Sequence, residues 1–477
     1  MEASLSLKTC KLWGLAILKN VKEPAMLQRK IYDKLVAWKS TSNGSTALLI
    51  EGARRVGKST VAEAFARAEY DTYLLVDFTR VTAEFKRMFL DLRTDLDEFF
   101  LYLSAYFGVQ LIERRSLVIF DEVQLFPQAR EFIKHLVADG RFDYVETGSL
   151  ISLRTDVQDI LLPSEEESVF MGPLDFEEFL WGMGEEPLAA MIRSSFEKRK
   201  GLPQELHRKA SRLWREYMLV GGMPQAVVAY GSQRDMVGAD KAKRAILKLY
   251  RDDIEKYGGT AAKRIKAVYD AIPGLLSKHE KKLVYTEVEE GSRARDFMTV
   301  FTWLRDAMTV NICELAEDPA LGLALSADEA TLKCYLSDTG LLSTMAFSGS
   351  GNVIPEVYRE VLLGNAQVNE GMLAENAVAQ QLVAAGHDLY FYSKASPDKA
   401  ERMEVDFLVV EPYANAAMKP RVSPIEVKSG DRTVTVSLDK FKNKFGKRVG
   451  SEFVFHPRQL KVEGNRLYLP LYMAMCL

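Results

Sequence analysis

Cysteine and histidine are scarce in this chain, and their placing excludes several chemistries. The four cysteines, Cys10, Cys313, Cys334 and Cys476, have no CxxC spacing. That pattern predicts reduced, packed thiols and no disulfide framework. The five histidines, His135, His207, His279, His387 and His456, form no HxxxH pair and no cluster with cysteine. The common zinc arrangements are therefore not expected. No apolar run reaches the roughly 20 residues that a membrane-spanning helix needs. The N-terminus is charged and helical in pattern, without the apolar stretch of a signal peptide, so a cytoplasmic chain with no membrane partner is expected. A net charge of −3 over 477 residues gives no global field for nucleic acid or membranes, so any such surface must be local.

What is present is the composition of a globular protein. With 47% hydrophobic and 27% charged residues the chain can bury real cores, and its length suggests about three domains. Neither an internal repeat nor a low-complexity tract is visible. Residues 23–39 have helical periodicity and lead to a polar linker at 40–45. Short apolar runs at 47–50, 73–78, 116–120, 144–146 and near 168–171 then alternate with helical stretches, a rhythm that predicts a parallel sheet between helices. Beyond about residue 175 the pattern turns helical, over 176–181, 188–199, 205–218 and 241–257, with a Gly221-Gly222-Met223-Pro224 break. Residues 260–345 read as helices, a short strand at 286–288, a helical stretch at 294–305 and a strand at 311–314, in the manner of a winged helix. From about 356 the chain returns to α/β character.

One turn carries the chemistry. Gly52-Ala53-Arg54-Arg55-Val56-Gly57-Lys58-Ser59 follows a strand and opens a helix. Glycines let backbone N–H groups turn toward an anion, and the helix N-terminus adds its positive end. The turn reads as a P-loop for a nucleoside triphosphate, ATP with Mg²⁺, in which Lys58 reaches the β- and γ-phosphates and the Ser59 hydroxyl ligates the metal. Gly52, Arg54, Arg55, Val56, Gly57 and Thr60 complete the binding set. The apolar run 117–120 ends in Asp121 and Glu122. Asp121 is expected to hold Mg²⁺ through water, and Glu122 to orient or deprotonate the attacking water. The strand at 144–146 runs on to Thr147-Gly148-Ser149, where Thr147 or Ser149 is placed to sense the γ-phosphate. An arginine finger is not identified. Arg154 and Arg251 are candidates by position alone, and surface solvation is the stronger reading for each.

These motifs, with Phe120-Asp121-Glu122-Val123-Gln124, Pro173-Leu174-Asp175-Phe176-Glu177-Glu178-Phe179-Leu180, Gly221-Gly222-Met223-Pro224, Tyr250-Arg251-Asp252-Asp253-Ile254, Ser337-Asp338-Thr339-Gly340-Leu341-Leu342 and Glu404-Val405-Asp406-Phe407, resemble a prokaryotic AAA-type, STAND-related P-loop ATPase family. Its members carry a C-terminal domain of unknown function that is similar to the PD-(D/E)XK nuclease fold. The likeness spans roughly residues 25–450. One departure is visible: where such proteins often have a Leu-x-Gly-Arg segment, this chain has Leu162-Pro163-Ser164-Glu165-Glu166-Glu167, an acidic run expected to be a solvated loop. The resemblance implies an α/β fold in parts: an N-terminal segment (1–22), an AAA-type P-loop ATPase sheet (23–180), a helical lid (181–259), a winged-helix-like unit (260–345) and a PD-(D/E)XK-like α/β domain (356–477).

In the last part, Asp406 lies in a strand, and Glu426 and Lys428 are two residues apart, on one face of another. Glu375, in a helix, adds a carboxylate. Clustered carboxylates with a lysine can hold Mg²⁺ or Mn²⁺ for phosphodiester cleavage. Residues 421–450 hold eight Lys/Arg against three Asp/Glu, including Lys440, Lys442, Lys444, Lys447 and Arg448. That charge fits DNA or RNA modestly, whereas charge runs are usually a solvated helix face. Three functions are thus open: an ATP-hydrolysing switch coupled to a DNA- or protein-interacting module, an ATP-regulated nuclease, and a nucleotide-dependent scaffold. AAA relatives form rings, so a homo-oligomer belongs to the expectation, though the ring contact needs the finger not found here.

Overall fold

The computed structural model describes residues 27–149, 164–231, 233–278, 281–283, 285, 293–347, 355–363, 370–411, 421–430 and 434–477. Helix α1 (Ile31–Ser42) runs three residues into the expected linker and stops at Asn43, whose φ of 45° is the left-handed turn that asparagine tolerates at a helix end. The first sheet follows: β1 (Ala47–Glu51), α2 (Lys58–Glu69), β2 (Thr72–Asp77), α3 (Ala83–Asp91), α4 (Leu96–Phe107), β3 (Ser116–Asp121), α5 (Pro127–Asp139), β4 (Asp143–Gly148) and β5 (Glu166–Phe170). The order is β2-β3-β4-β1-β5, with every pair parallel. β3 is buried along its whole length, as an unbroken apolar run in a doubly covered sheet must be. Phe85, Phe89, Phe99, Phe120 and Phe132 fill one face.

β5 corrects the reading of the acidic run. Leu162 and Pro163 lie outside the described residues, but Glu166 and Glu167 belong to the strand and pair with β1. Glu166 is not solvated: Arg130 grips it through two nitrogens at 2.9 and 2.6 Å, with both side chains under 10% exposed. A buried carboxylate needs such a partner.

Helices α6 (Phe176–Gly182), α7 (Glu186–Glu197), α8 (Gln204–Val220), α9 (Pro224–Gly231), α10 (Met236–Tyr257), α11 (Ala262–Leu276) and α12 (Met298–Asp306) come next. Asp175 and Glu178 close a reciprocal capping box on α6, which accounts for two acids in the Pro-Leu-Asp-Phe-Glu-Glu motif. The chain continues with β6 (Val310–Ala316), β7 (Ala327–Leu336), α13 (Thr339–Phe347), α14 (Pro355–Leu363), α15 (Glu370–Ala384), β8 (Leu389–Lys394), β9 (Met403–Val410), β10 (Val422–Val427), α16 (Val436–Phe445), β11 (Glu452–His456), β12 (Lys461–Glu463) and β13 (Arg466–Pro470). These strands form one sheet, β12-β13-β11-β10-β9-β8-β6-β7.

The hairpin of the expected winged-helix-like unit is therefore part of the C-terminal sheet. β6 pairs with β7 on one side and with β8 on the other, Cys313 opposite Leu389. An edge strand with open N–H and C=O groups is stabilised by a neighbour, and β8 supplies it. The expected strand at 286–288 lies outside the described residues.

Three of the quoted motifs meet at one buried junction. Leu174 N donates to Gly222 O at 2.7 Å, and Gly222 N donates to Asp338 Oδ2 at 2.5 Å. Asp338 Oδ1 accepts from Leu341 N at 2.8 Å. From α15, Gln380 bonds Thr339 N and Leu174 O, while Gln381 accepts from Phe176 N at 2.8 Å and donates to Tyr217 OH at 3.0 Å. Gly222 is there because no side chain fits: a Cβ would lie 2.0 Å from Leu174 O. Gly222→Ala should thus lower stability by about 1–3 kcal/mol, as overpacking does. Its denaturant midpoint checks this, and an unchanged midpoint would refute so close an approach.

Candidate nucleotide site

The P-loop joins the end of β1 to the start of α2. Gly57 precedes the helix at φ 100°, a conformation closed to most side chains. Lys58 is 5% exposed, and its Nζ donates to Gly52 O and Ala53 O, both at 3.0 Å. Burial pushes its ammonium down to about 8; the charges of Glu122 and Asp121 oppose this, and Arg54 adds to it. Lys58 is thus a desolvated cation held by two carbonyl oxygens and by the field of two nearby acids. β4 separates β1 from β3, so the loop and Asp121 face each other across one strand. Ser59 Oγ donates to Asp121 Oδ1 at 2.6 Å, and Thr147 Oγ1, from the tip of β4, donates to the same oxygen. Asp121 is raised by burial first; the two hydroxyl hydrogen bonds pull it back, and Glu122 and Asp77 raise it further.

Glu122 sits at φ 58°, a left-handed conformation that costs a non-glycine residue on the order of 1–2 kcal/mol. Its N–H donates to Thr147 Oγ1 at 3.3 Å, and Gln124 Nε2 donates to its carboxylate. Thr147 thereby touches both acids. Ser149 lines a chamber with Glu122, Gln124 and Arg54. On the far side of the loop, Val56, Gly57 and Thr60 border an apolar cleft of about 410 Å³ with Leu27, Met171, Pro224 and Val228. Arg29 fastens that side through Val56 O (2.8 Å) and Gly172 O (2.7 Å). Arg55 is exposed at φ 70°.

Several partners escaped sequence reading. Gln124, Arg29, Tyr250 and Asp253 all contact the site's loops. Tyr250 OH donates to Arg54 O at 2.8 Å, and Arg54 Nη1 lies 2.6 Å from Asp253 Oδ1. The Tyr-Arg-Asp-Asp-Ile motif was a usable signal, because Tyr250 and Asp253 are one helical turn apart and share a face. Arg251 pairs with Asp270 at 2.8 Å. Arg154 lies outside the described residues.

Glu375, Asp406, Glu426 and Lys428 come into one neighbourhood of the C-terminal sheet, but as an ionic cluster. Glu375 takes Lys281 and Tyr335 on its two oxygens, with Lys333 3.8 Å away. Lys333 is fully buried, 2.9 Å from Glu404 and over the Phe391 ring. Asp406 accepts from Val427 N at 2.8 Å, and Lys428 pairs with Glu426 at 2.6 Å. Burial is the largest influence on Glu375 and pushes it up, yet Lys333, Lys281 and the Tyr335 hydroxyl together hold it below the ordinary carboxylate range. Glu426 is pushed up to about 7 by burial and then by Asp406. Among the described residues no three His, Cys, Asp or Glu side chains are grouped to hold a metal ion. Of the acids expected to hold a second Mg²⁺ or Mn²⁺, Glu375 and Glu426 are paired with lysines in this structure. The basic stretch is also partly spent: Lys440 donates to Lys399 O and Arg402 O, Lys442 pairs with Glu452, and Lys444 with Tyr392.

The strand order of the first sheet is that of an AAA-type P-loop fold. Residues 44–180 match a family model described as an AAA domain. Residues 211–351 and 370–473 match two models described as domains of unknown function, DUF8612 and DUF4143. No curated protein matches the chain. Among solved structures, a Walker-type ATPase of Pyrococcus abyssi aligns at 16% identity over 67% of this chain and 96% of that one, TM-score 0.39. Cdc6p from Pyrobaculum aerophilum aligns at 11% identity over 72% and 97%, TM-score 0.25. PCH-2 of C. elegans aligns at 14% identity over 58% and 64%, TM-score 0.18. No helix among the described residues is long and apolar enough to cross a membrane.

Two outcomes check this geometry. Thr147→Val removes the hydroxyl shared by Asp121 and Glu122 and should slow nucleotide hydrolysis roughly tenfold or more, the scale of a hydrogen bond to a charged group. Lys333→Met should cost about 3–5 kcal/mol of stability by leaving buried carboxylates uncompensated, measured as a denaturant midpoint. A loss under about 0.5 kcal/mol, as at a surface site, would contradict the buried pairing.

Proposed function

We propose that this chain hydrolyses ATP with Mg²⁺ and uses the cycle as a switch on its C-terminal module. The observation that carries the reading is the convergence of Ser59 and Thr147 on one oxygen of Asp121, beside a buried Lys58. Ser59 Oγ and Asp121 Oδ1 are hard oxygen donors 2.6 Å apart, a pair that fits Mg²⁺. Bound Mg²⁺ would neutralise phosphate charge. Lys58 trades its two carbonyl partners for phosphate oxygens. The apolar cleft beside Gly57 and Thr60 suits a flat base. Glu122, held by Gln124, takes the proton of a water whose oxygen bonds to the γ-phosphorus. The β–γ bridging bond then breaks, its electron pair leaving on ADP.

The switch reading rests on the junction. Leu174 and Phe176 follow β5 directly, and α15 of the C-terminal sheet grips both through Gln380 and Gln381. A shift of the ATPase sheet therefore bears on the C-terminal sheet without a linker between them. The order α15-β8-β9-β10-α16-β11, with β8, β9 and β10 antiparallel and β10 parallel to β11, supports a PD-(D/E)XK-like scaffold. The lysine pairing of its acids favours binding DNA or protein over cleavage.

Lys58→Ala should abolish ATP binding and phosphate release, and Glu122→Gln should keep binding while slowing release about 10²–10⁴-fold. Undiminished phosphate release from Lys58→Ala would sink the reading. Hydrogen exchange at residues 376–381 should differ between an ATP analogue and ADP, and identical protection would remove the switch. Wild type should not degrade DNA with Mg²⁺ or Mn²⁺. Degradation that Asp406→Ala abolishes would restore the nuclease instead.

A further inference from the structure

Arg54 stands within the phosphate-binding turn, yet both of its polar ends are committed to α10. Its carbonyl accepts from Tyr250 OH at 2.8 Å, and its guanidinium lies 2.6 Å from Asp253 Oδ1. The Asp253 side chain is only 14% exposed, whereas that of Arg54 is 39% exposed. The exposed part opens into the chamber that Glu122, Gln124 and Ser149 also line. Arg54 is the one guanidinium among those lining residues, and its charge is felt at Lys58. This guanidinium, Glu122 and Lys58 border the turn at which the ATPase reading puts the terminal phosphate.

We propose that Arg54 is the nucleotide-sensing residue of this site, bound to Asp253 when no γ-phosphate is present and to the γ-phosphate when ATP is bound. The proposal rests on the ATPase reading above and names how that site is read out. A terminal phosphate carries more charge than one carboxylate and offers three oxygens to a planar fork of donors, so it competes well for the guanidinium. The exchange leaves Asp253 without its cation and loosens α10 from the P-loop. At its other end α10 reaches the junction: Lys243 Nζ donates to Leu219 O at 2.6 Å, and Asp240 accepts from Thr344 and Tyr358. One side chain thus links the terminal phosphate to the helix that abuts α8, α13 and α14. ADP, which lacks the γ-phosphate, leaves Arg54 on Asp253.

The test uses the full chain with fluorescent ATP and ADP analogues and a phosphate-release assay. Arg54→Ala should weaken ATP binding on the order of 10–100-fold while ADP binding changes little, so that the ATP-to-ADP preference collapses. Arg54→Lys should restore part of that preference. Asp253→Asn should do the opposite, tightening ATP binding several-fold, because the phosphate no longer competes with a carboxylate. Hydrogen exchange across residues 250–257 of nucleotide-free Asp253→Asn should match that of ATP-bound wild type. Equal losses of ATP and ADP affinity in Arg54→Ala would overturn the proposal, as would weaker ATP binding in Asp253→Asn. If wild type itself binds no ATP, the ATPase reading fails. If wild type hydrolyses ATP and Arg54→Ala keeps the ATP-to-ADP preference, the sensing role alone fails.

Discussion

The backbone N–H of Gly222 and the carboxylate of Asp338 meet in a fully buried environment, and much of the molecule is arranged around that contact. Asp338 is fully buried, and burial raises its carboxyl while the N–H groups of Gly222 and Leu341 pull it back. Such a group is tolerable only while its donors stay in place. The donors belong to the break between α8 and α9 and to the start of α13, and Leu174 sits on the other side of Gly222. The ATPase sheet, the helical region and the C-terminal sheet are therefore held by mutual satisfaction of backbone groups. A displacement of one part leaves polar atoms of the others unpaired.

That arrangement explains how much could be read from the sequence. Strands of the first sheet were legible because β1, β3 and β4 are short apolar runs bounded by turns, and the P-loop was legible because its glycines, lysine and serine act within eight residues. Asp121 and Glu122 were legible for the same local reason. The left-handed backbone of Glu122 was not, since it is set by how β3 hands over to the following turn. The pairing of Arg54 with Asp253 spans 199 residues, and no periodicity encodes such a contact. The Gly-Gly-Met-Pro and Ser-Asp-Thr-Gly motifs were visible as text, but their meaning appears only when Gly222 and Asp338 are side by side.

The C-terminal acids illustrate the opposite case. Asp406 and Glu426 were rightly expected on strands and Glu375 on a helix, while Lys428 falls one residue past the end of β10; composition could not reveal which cations would reach them. Lys333 comes from β7 and Lys281 from the segment after α11, both assigned by pattern to a different unit. Their ammonium groups convert a set of acids into a network of ion pairs. The same tertiary pairing changes the basic stretch around α16, where lysines that look solvated in sequence brace carbonyls and a buried glutamate. Electrostatic inventories along a chain overstate free charge wherever long side chains can fold back.

One apolar core runs from Leu35 through Trp214 and Tyr335 to Met475. The consequence is thermodynamic. A ligand that binds only the native state stabilises everything that unfolds with it, so occupancy of the P-loop should protect strands far from any phosphate. By the same coupling, a piece of the chain cut at the apparent seams would carry a raw apolar face. The first sheet's inner face and much of the C-terminal sheet thus share buried surface that no single cut would leave covered.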